Sequence, residues 1–384
     1  MPYAIYVLGL TIFAMTTSEF MVAGMMPSLS EEFGVSIPAI GYLISAYAAG
    51  MVVGGPLITL GLLKVTYKKA LLTLITAFFA GQVLGALATS YEMMFAARVI
   101  TGVASSACFG VSIAIAVNLA GAEFRGRAVS VVLGGLMISK VVGLPMAIFI
   151  DQQFGWRITF WLVAVLVLFA GLVVQKIIPS PSLSNTTSIS LKKELNVFKN
   201  RKLWAAFTTS TLIIGATFAA FSYLTPILTE ITGFDSAVVP FLLAFYGAAT
   251  VVGNIVVGRF ADRYTIPILW YGLITLTVCL VIFTIFSQNA IITILMLVVL
   301  GLVGVPMNPA MAARVMKAAN DGSLVNSVHS SVITFGVVIG SSIGGLTISM
   351  GYGLISPLWV GAILGTLGVI SLVPLVSTKS YRQV

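Results

Sequence analysis

Charge is what this sequence has least of. Its 384 residues hold 11 Asp and Glu, 20 Lys and Arg and one His, so 8% of positions are charged. Soluble domains run to about 25%. With 59% hydrophobic residues and a mean hydropathy of +1.10, the chain has too few polar side chains to cover a water-facing surface, which excludes a soluble globular protein. The other shortages exclude chemistry. Cys108 and Cys279 both fall in apolar runs, which argues against a disulfide framework and for small buried side chains. One histidine and two distant cysteines cannot assemble a metal site. No Gly-Lys-Ser/Thr phosphate loop is present, so ATP is not the energy source, and a Ser/His/Asp hydrolase would have no soluble domain to sit on. An enzyme is not expected, nor a cofactor.

What is present is a recurrence of apolar runs of about 20 residues, the length that crosses a hydrocarbon core as a helix. Breaks at charged, Gly, Pro and Asn clusters predict helices over 3–26, 39–61, 69–89, 91–120, 127–150, 157–178, 204–230, 236–258, 266–287, 290–316, 323–349 and 354–376. The expected fold is an all-α membrane protein of twelve transmembrane helices. The first run is too long for a cleavable signal and reads as a span. With the N-terminus inside, every Lys and Arg except Arg98, Lys140 and Arg157 falls at a cytoplasmic segment or helix end. This asymmetry puts both termini in the cytoplasm of a multi-pass inner-membrane protein. It also accounts for the net charge of +9 as topology, without nucleic acid as a partner.

The longest polar stretch, "PSPSLSNTTSISLKKELNVFKNRK" at 179–202, divides the chain. It predicts a six-helix bundle over 1–178, a cytoplasmic linker over 179–203 lying near anionic headgroups, and a second six-helix bundle over 204–384. The "NTT" at 185–187 matches a glycosylation acceptor by chance on the cytoplasmic side. The halves resemble each other: "VVGGPLITLGLLK" (52–64) aligns without gaps on "VVGNIVVGRFADR" (251–263), as parallel repeats of transporters do. Glycines spaced by three or four, such as Gly50, Gly54, Gly336, Gly340 and Gly344, allow close helix packing.

Four stretches resemble the major facilitator superfamily, and within it the twelve-helix drug:proton antiporter group with its arabinose and purine efflux-like members. "GRFADR" (258–263) is similar to the loop motif after the second helix of a six-helix unit; the resemblance implies that Gly258, Asp262 and Arg263 belong to a cytoplasmic gate. The first-half copy departs from the motif, with Leu63 and Lys64 in the charged positions. "RVITGVASS" (98–106) resembles the fourth-helix motif, with Arg98 facing the cavity and Gly102 four residues on. "GLPMAIFIDQQFGWR" (143–157) resembles the antiporter motif of the fifth helix through Gly143 and Pro145, and "TTSEFMVAGMMPSLSEEFGVS" (16–36) the first-helix signature. The implied fold is two six-helix bundles, and the implied activity is proton-coupled efflux by a monomer.

Three charges lie deep in predicted helices, where an ionised group costs on the order of 3 kcal/mol and usually faces a cavity or a partner. Glu19 lies about 10 Å from the outer end of its helix, Arg98 at similar depth, and Lys140 about 15 Å down. Glu19 is either the proton carrier or half of an ion pair with Arg98 or Lys140. Arg98 either organises helices one and four or touches substrate; Lys140 either serves the cargo, pairs with Glu19 or snorkels. Two cations against one acid favour neutral, zwitterionic or anionic cargo over bulky cations. His329 is a titratable group or a polar packing residue among Asn326, Ser327, Ser330 and Ser331. Phe218, Phe221 and Tyr223 could line an apolar cavity, and Asn308 could supply an amide. The expectation is proton-coupled export of a small molecule or drug across the membrane by alternating access. Alternatives are export of an anionic or zwitterionic metabolite such as a nucleoside, sugar-like solute or opine-type metallophore, and a non-transporting membrane receptor.

Overall fold

The computed structural model describes residues 2–61, 65–178, 197–319 and 323–377. Among them are twelve helices long and apolar enough to cross a membrane, and no strand. The linker expected over 179–203 lies outside the described residues as far as 196, as does the Leu63–Lys64 pair. Within its described end, Val197–Lys199 forms a 3-10 turn. Asn200 then accepts from the Lys202 amide as a helix N-cap and donates to the Ala318 carbonyl at 2.7 Å.

The chain forms two compact units, Met1–Thr186 with Ala237–Ala244, and Thr187–Ser236 with Phe245–Val384. The first contains α1 (Tyr3–Gly24), a short α2 (Met26–Phe33), α3 (Ile37–Gly61), α4 (Tyr67–Ala86), α5 (Tyr91–Ile138), a π-turn at Ser139–Gly143, α6 (Leu144–Phe154) and α7 (Trp156–Ile177). The later elements are α8 (Arg201–Phe221), α9 (Val239–Phe260), α10 (Thr265–Ile285), α11 (Ala290–Val303), α12 (Asn308–Ala319), α13 (Ser323–Thr347) and α14 (Ser356–Ser377). α5 packs on α1, α3 and α4 in the first unit, and α8 on α13 and α14 in the second.

The helix boundaries differ from the pattern reading where backbone chemistry intervenes. The first run ends at Gly24 and restarts as α2, with Pro27 at the start of the new helix and Gly34 closing it at φ +61°. The break expected over 121–126 is absent: α5 stays helical from Tyr91 to Ile138 and holds two candidate spans, Tyr91–Ala120 and the start of Gly126–Phe154. Pattern reading stopped there on charge, but Glu123 and Arg125 do not break a helix as proline does. The seventh run stops at Phe221 rather than 230, because Pro226 has no N–H to offer the Ser222 carbonyl. A single turn at Leu224–Pro226 and a π-turn at Ile227–Ile231 complete it. The tenth run is likewise split at Gly304, before Pro306 and a 3-10 turn.

The repeat seen in the sequence reappears as packing. In the first unit a Cβ on Gly135 would enter the Gly9 backbone, and one on Gly102 the Tyr47 backbone, so the fifth span meets the first and the fourth meets the second through glycine. In the second unit Gly340 meets the Gly215 backbone, and a Cβ on Gly301 would stand 2.8 Å from the Tyr246 carbonyl, which pairs the corresponding spans. Such contacts use the missing side chain to bring backbones together where lipid offers no hydrophobic drive.

Gly102→Ala is therefore expected to destabilise the purified protein by about 1–3 kcal/mol through overpacking. Gly110→Ala, on the same helix with nothing within 4 Å, is expected to be neutral or to gain up to about 1 kcal/mol from helix propensity. Thermal unfolding in a single lipid or detergent checks the pair; equal shifts would refute the packing role of Gly102.

Candidate functional site

α1 reaches Glu19 through a succession of buried small and hydroxyl residues, Ala14, Thr16, Thr17 and Ser18. Against this face lies Arg98 of α5, 1% exposed. Its guanidinium is committed to backbone oxygens: Nη1 donates to the Ser18 carbonyl at 2.7 Å, Nη2 to the Glu19 carbonyl at 3.1 Å and Nε to the Leu43 carbonyl of α3 at 3.5 Å. Nη1 also reaches the Ser18 hydroxyl at 3.3 Å. The Tyr47 ring covers the guanidinium at 4.2 Å from its centre, and the Tyr47 hydroxyl donates to the Met15 carbonyl at 3.2 Å. Gln82 of α4, fully buried, donates to the Ser18 hydroxyl from its other side. One cation thus ties α1, α3 and α5 together without a carboxylate. Arg98 engages Nε and both Nη atoms in bonds to α1 and α3.

Lys140 lies on the π-turn between α5 and α6, 6% exposed, with its ammonium 5.2 Å from the centre of the Phe20 ring. Burial at this level is the opposite of snorkelling. Neither cation pairs with Glu19: among the described residues the ion pair is Arg157–Glu32 at 2.7 Å. The structural Glu19 salt bridge left open by the sequence is absent there, because Arg98 is turned to the main chain of α1. Lys140 and Arg98 remain the two charges whose fields act on the Glu19 carboxyl.

Two of the motif glycines, Gly102 and Gly143, are closely packed. Gly102 lies against the Tyr47 backbone, Gly143 against the Thr17 side chain, and Pro145 stands in the first turn of α6. Gly258 is open, with Pro309 Cγ 3.9 Å from a built Cβ. Asp262 and Arg263 are exposed and form no ion pair among the described residues; the Arg263 guanidinium lies 5.2 Å from the Tyr264 ring. Lys317 at the end of α12 holds this loop, donating to the Asp262 carbonyl at 2.7 Å and the Thr265 hydroxyl at 2.9 Å. In the second unit Phe218 stacks edge-on against Phe221 at 5.4 Å, and Phe221 against Tyr246 at 5.2 Å. The Tyr223 hydroxyl is used on the Ser341 carbonyl at 2.7 Å. Asn308 is exposed at the start of α12. His329 is 4% exposed, hydrogen-bonded to Ser210 at 3.1 Å and stacked on Phe207 at 5.9 Å. The Asn326 and Ser327 side chains lie outside the described residues.

Sequence reasoning missed Tyr47, Gln82, Lys317 and a second buried acid, Asp151, which is 7% exposed. Asp151 falls one residue beyond the helix expected over 127–150, although that helix continues to Phe154.

Residues 8–325 match the family model described as Major Facilitator Superfamily. The chain belongs to this family. A chloramphenicol resistance protein of Streptomyces lividans is 31% identical over 95% of this chain and 94% of its own. An uncharacterised MFS-type transporter, YtbD, of Bacillus subtilis is 30% identical over 94% and 92%. The inner membrane transport protein YdhP of Escherichia coli is 30% identical over 96% and 94%. Among solved structures, the nucleoside transporter NupG superposes with a TM-score of 0.79 at 14% identity, covering 97% of this chain and 99% of that one. A bacterial homologue of the lysosomal transporter Spinster gives 0.78 at 13%, covering 98% and 97%. The fold of this superfamily member is thus the twelve-helix transporter fold, and the protein is a multi-pass membrane transporter.

An ammonium cannot reproduce the planar fork that reaches carbonyls on two helices. Arg98→Lys is expected to lower stability by about 1–3 kcal/mol, the cost of leaving buried acceptors unpaired, and Tyr47→Phe by about 1 kcal/mol. Thermal unfolding of both variants is the check; an Arg98→Lys protein that melts with wild type would refute the clamp.

Proposed function

We propose that this protein exports a small organic molecule across the cytoplasmic membrane in exchange for protons, by alternating access, with both termini in the cytoplasm and the chain acting as a monomer. The observation that carries this reading is the Glu19 carboxyl: it lies beside two cations yet is paired to neither among the described residues. A carboxyl with no fixed ion-pair partner is free to exchange its proton when a charged or polar group arrives beside it. Cargo arriving beside Lys140 is such a group. Each ligand biases the two-state equilibrium by its differential affinity, which suffices for exchange.

The cargo we infer is neutral or zwitterionic, because two cations face one acid. Chloramphenicol, in the name of one relative, is the first compound to test. In the second unit Asn308 offers an exposed amide, while Phe218, Phe221 and Tyr246 are buried against one another. The loop of Gly258, Asp262 and Arg263, held by Lys317, is proposed as the cytoplasmic gate.

A second reading, export of an anionic metabolite, is favoured by Lys140, whose ammonium has an aromatic ring but no hydrogen-bond acceptor among the described residues. Lys140→Met is expected to abolish transport of an acidic substrate while sparing a neutral one; sparing both would reject this reading.

The deciding experiment follows internal pH in proteoliposomes of wild type and Glu19→Gln while chloramphenicol, nucleosides and an acidic metallophore are added in turn. A cargo-triggered proton flux in wild type, reduced to the empty-vesicle level in Glu19→Gln, is the expected result. Equal proton flux in both would remove Glu19 from the coupling, and counterflow absent for every compound would point to a receptor.

A further inference from the structure

Asp151, near the end of α6, stands apart from the Glu19 site and is used by nothing described above. It is 93% buried by the complement of its 7% exposure. Its Oδ2 accepts from the Ser28 hydroxyl of α2 at 2.7 Å, while Oδ1 is buried with no hydrogen-bond partner among the described residues. Across the turn at Gly155, whose φ is +85°, the Trp156 indole N–H is also buried and unpartnered. The Trp156 ring is packed between Phe33 at 5.6 Å and Phe160 at 5.7 Å and is buried like Asp151, while Gln152, Gln153, Phe154 and Gly155 between them are exposed.

The cation that sequence proximity would assign to Asp151 is Arg157, and it is spent elsewhere. Arg157 Nη1 pairs with Glu32 at 2.7 Å, Nη2 donates to the Ala88 carbonyl at 3.0 Å, and its guanidinium lies 4.3 Å from the Trp156 ring. α6 packs on α1, on α7 and on the π-turn, and Ser28 joins it to α2. The charged groups on these elements are Glu19, Arg157, Lys176, Lys140, Glu31 and Glu32, and none of them pairs with Asp151 among the described residues. A carboxylate held here would be a buried charge with one hydrogen bond and no counterion. A neutral carboxylic acid keeps the Ser28 bond and leaves one uncharged oxygen open, a far smaller desolvation burden.

We propose that Asp151 is a second proton-binding site, separate from Glu19, which carries its proton while α2 is seated on the α6–α7 turn through Ser28. Its ligand is H+, bound at the end of the first unit that carries α2, the outer end in the orientation proposed above. The assignment does not depend on the coupling role of Glu19.

Infrared difference spectroscopy of the full chain in nanodiscs, between acid and alkaline pH, tests it. The C=O stretch of a protonated carboxyl is the readout, and with 11 acidic side chains in the protein it can be assigned by substitution. A band present in wild type and in Glu19→Gln, and lost in Asp151→Asn, is expected. A spectrum unchanged by Asp151→Asn overturns the proposal. Should Asp151→Asn fail to fold, Ser28→Ala keeps the acid and removes its one hydrogen bond; the band is then expected to move to higher frequency, and an unmoved band overturns the proposal equally.

Discussion

A guanidinium buried among apolar helices must be surrounded by acceptors, and in this protein the acceptors are main-chain carbonyls rather than a carboxylate. The first unit depends on that choice. Arg98 reaches Ser18 and Glu19 on α1 and Leu43 on α3 from its own place on α5, so three helices are fixed by one side chain. Water cannot satisfy such groups within a bilayer, so unfastening the clamp would leave a buried cation without acceptors. Tyr47 and Gln82 complete it, the first as a ring over the cation and the second through the Ser18 hydroxyl.

Because Arg98 is turned to the main chain, the one acid beside it is left unpaired. Had the guanidinium and Glu19 formed a direct salt bridge, parting them would have left an uncompensated buried charge, and exchange of a proton would have been correspondingly hard. The same economy of partners governs the α2 end, where Arg157 serves Glu32 and the Ala88 carbonyl and Asp151 has Ser28 alone.

Helix contact in both units is made through glycine, and helix interruption through proline. Gly9 with Gly135, and Gly215 with Gly340, bring equivalent spans of the two units to backbone distance. Pro226 ends the seventh span early, and the Ser222 and Thr225 hydroxyls beside it are buried without partners among the described residues. The two units thus share their packing scheme; half-buried Glu19 and buried Arg98, Lys140 and Asp151 belong to the first, and buried Arg314 to the second.

The sequence by itself determined that the chain is a twelve-span membrane protein, because the length of apolar runs is a local property and lipid leaves the backbone few alternatives to the helix. It also marked Glu19, Arg98 and Lys140, since charge inside an apolar run is visible without coordinates. What only the tertiary structure decided is who touches whom. Whether Arg98 meets the Glu19 carboxyl or its carbonyl turns on side-chain direction across helices about 80 residues apart in the chain, which no periodicity encodes. The same holds for His329, drawn into packing by Ser210 and Phe207 from another helix, and for Lys317, whose partner is a loop carbonyl. Asp151 was hidden for a local reason: the helix runs four residues past Ile150, to Phe154, and carries the acid into a buried position.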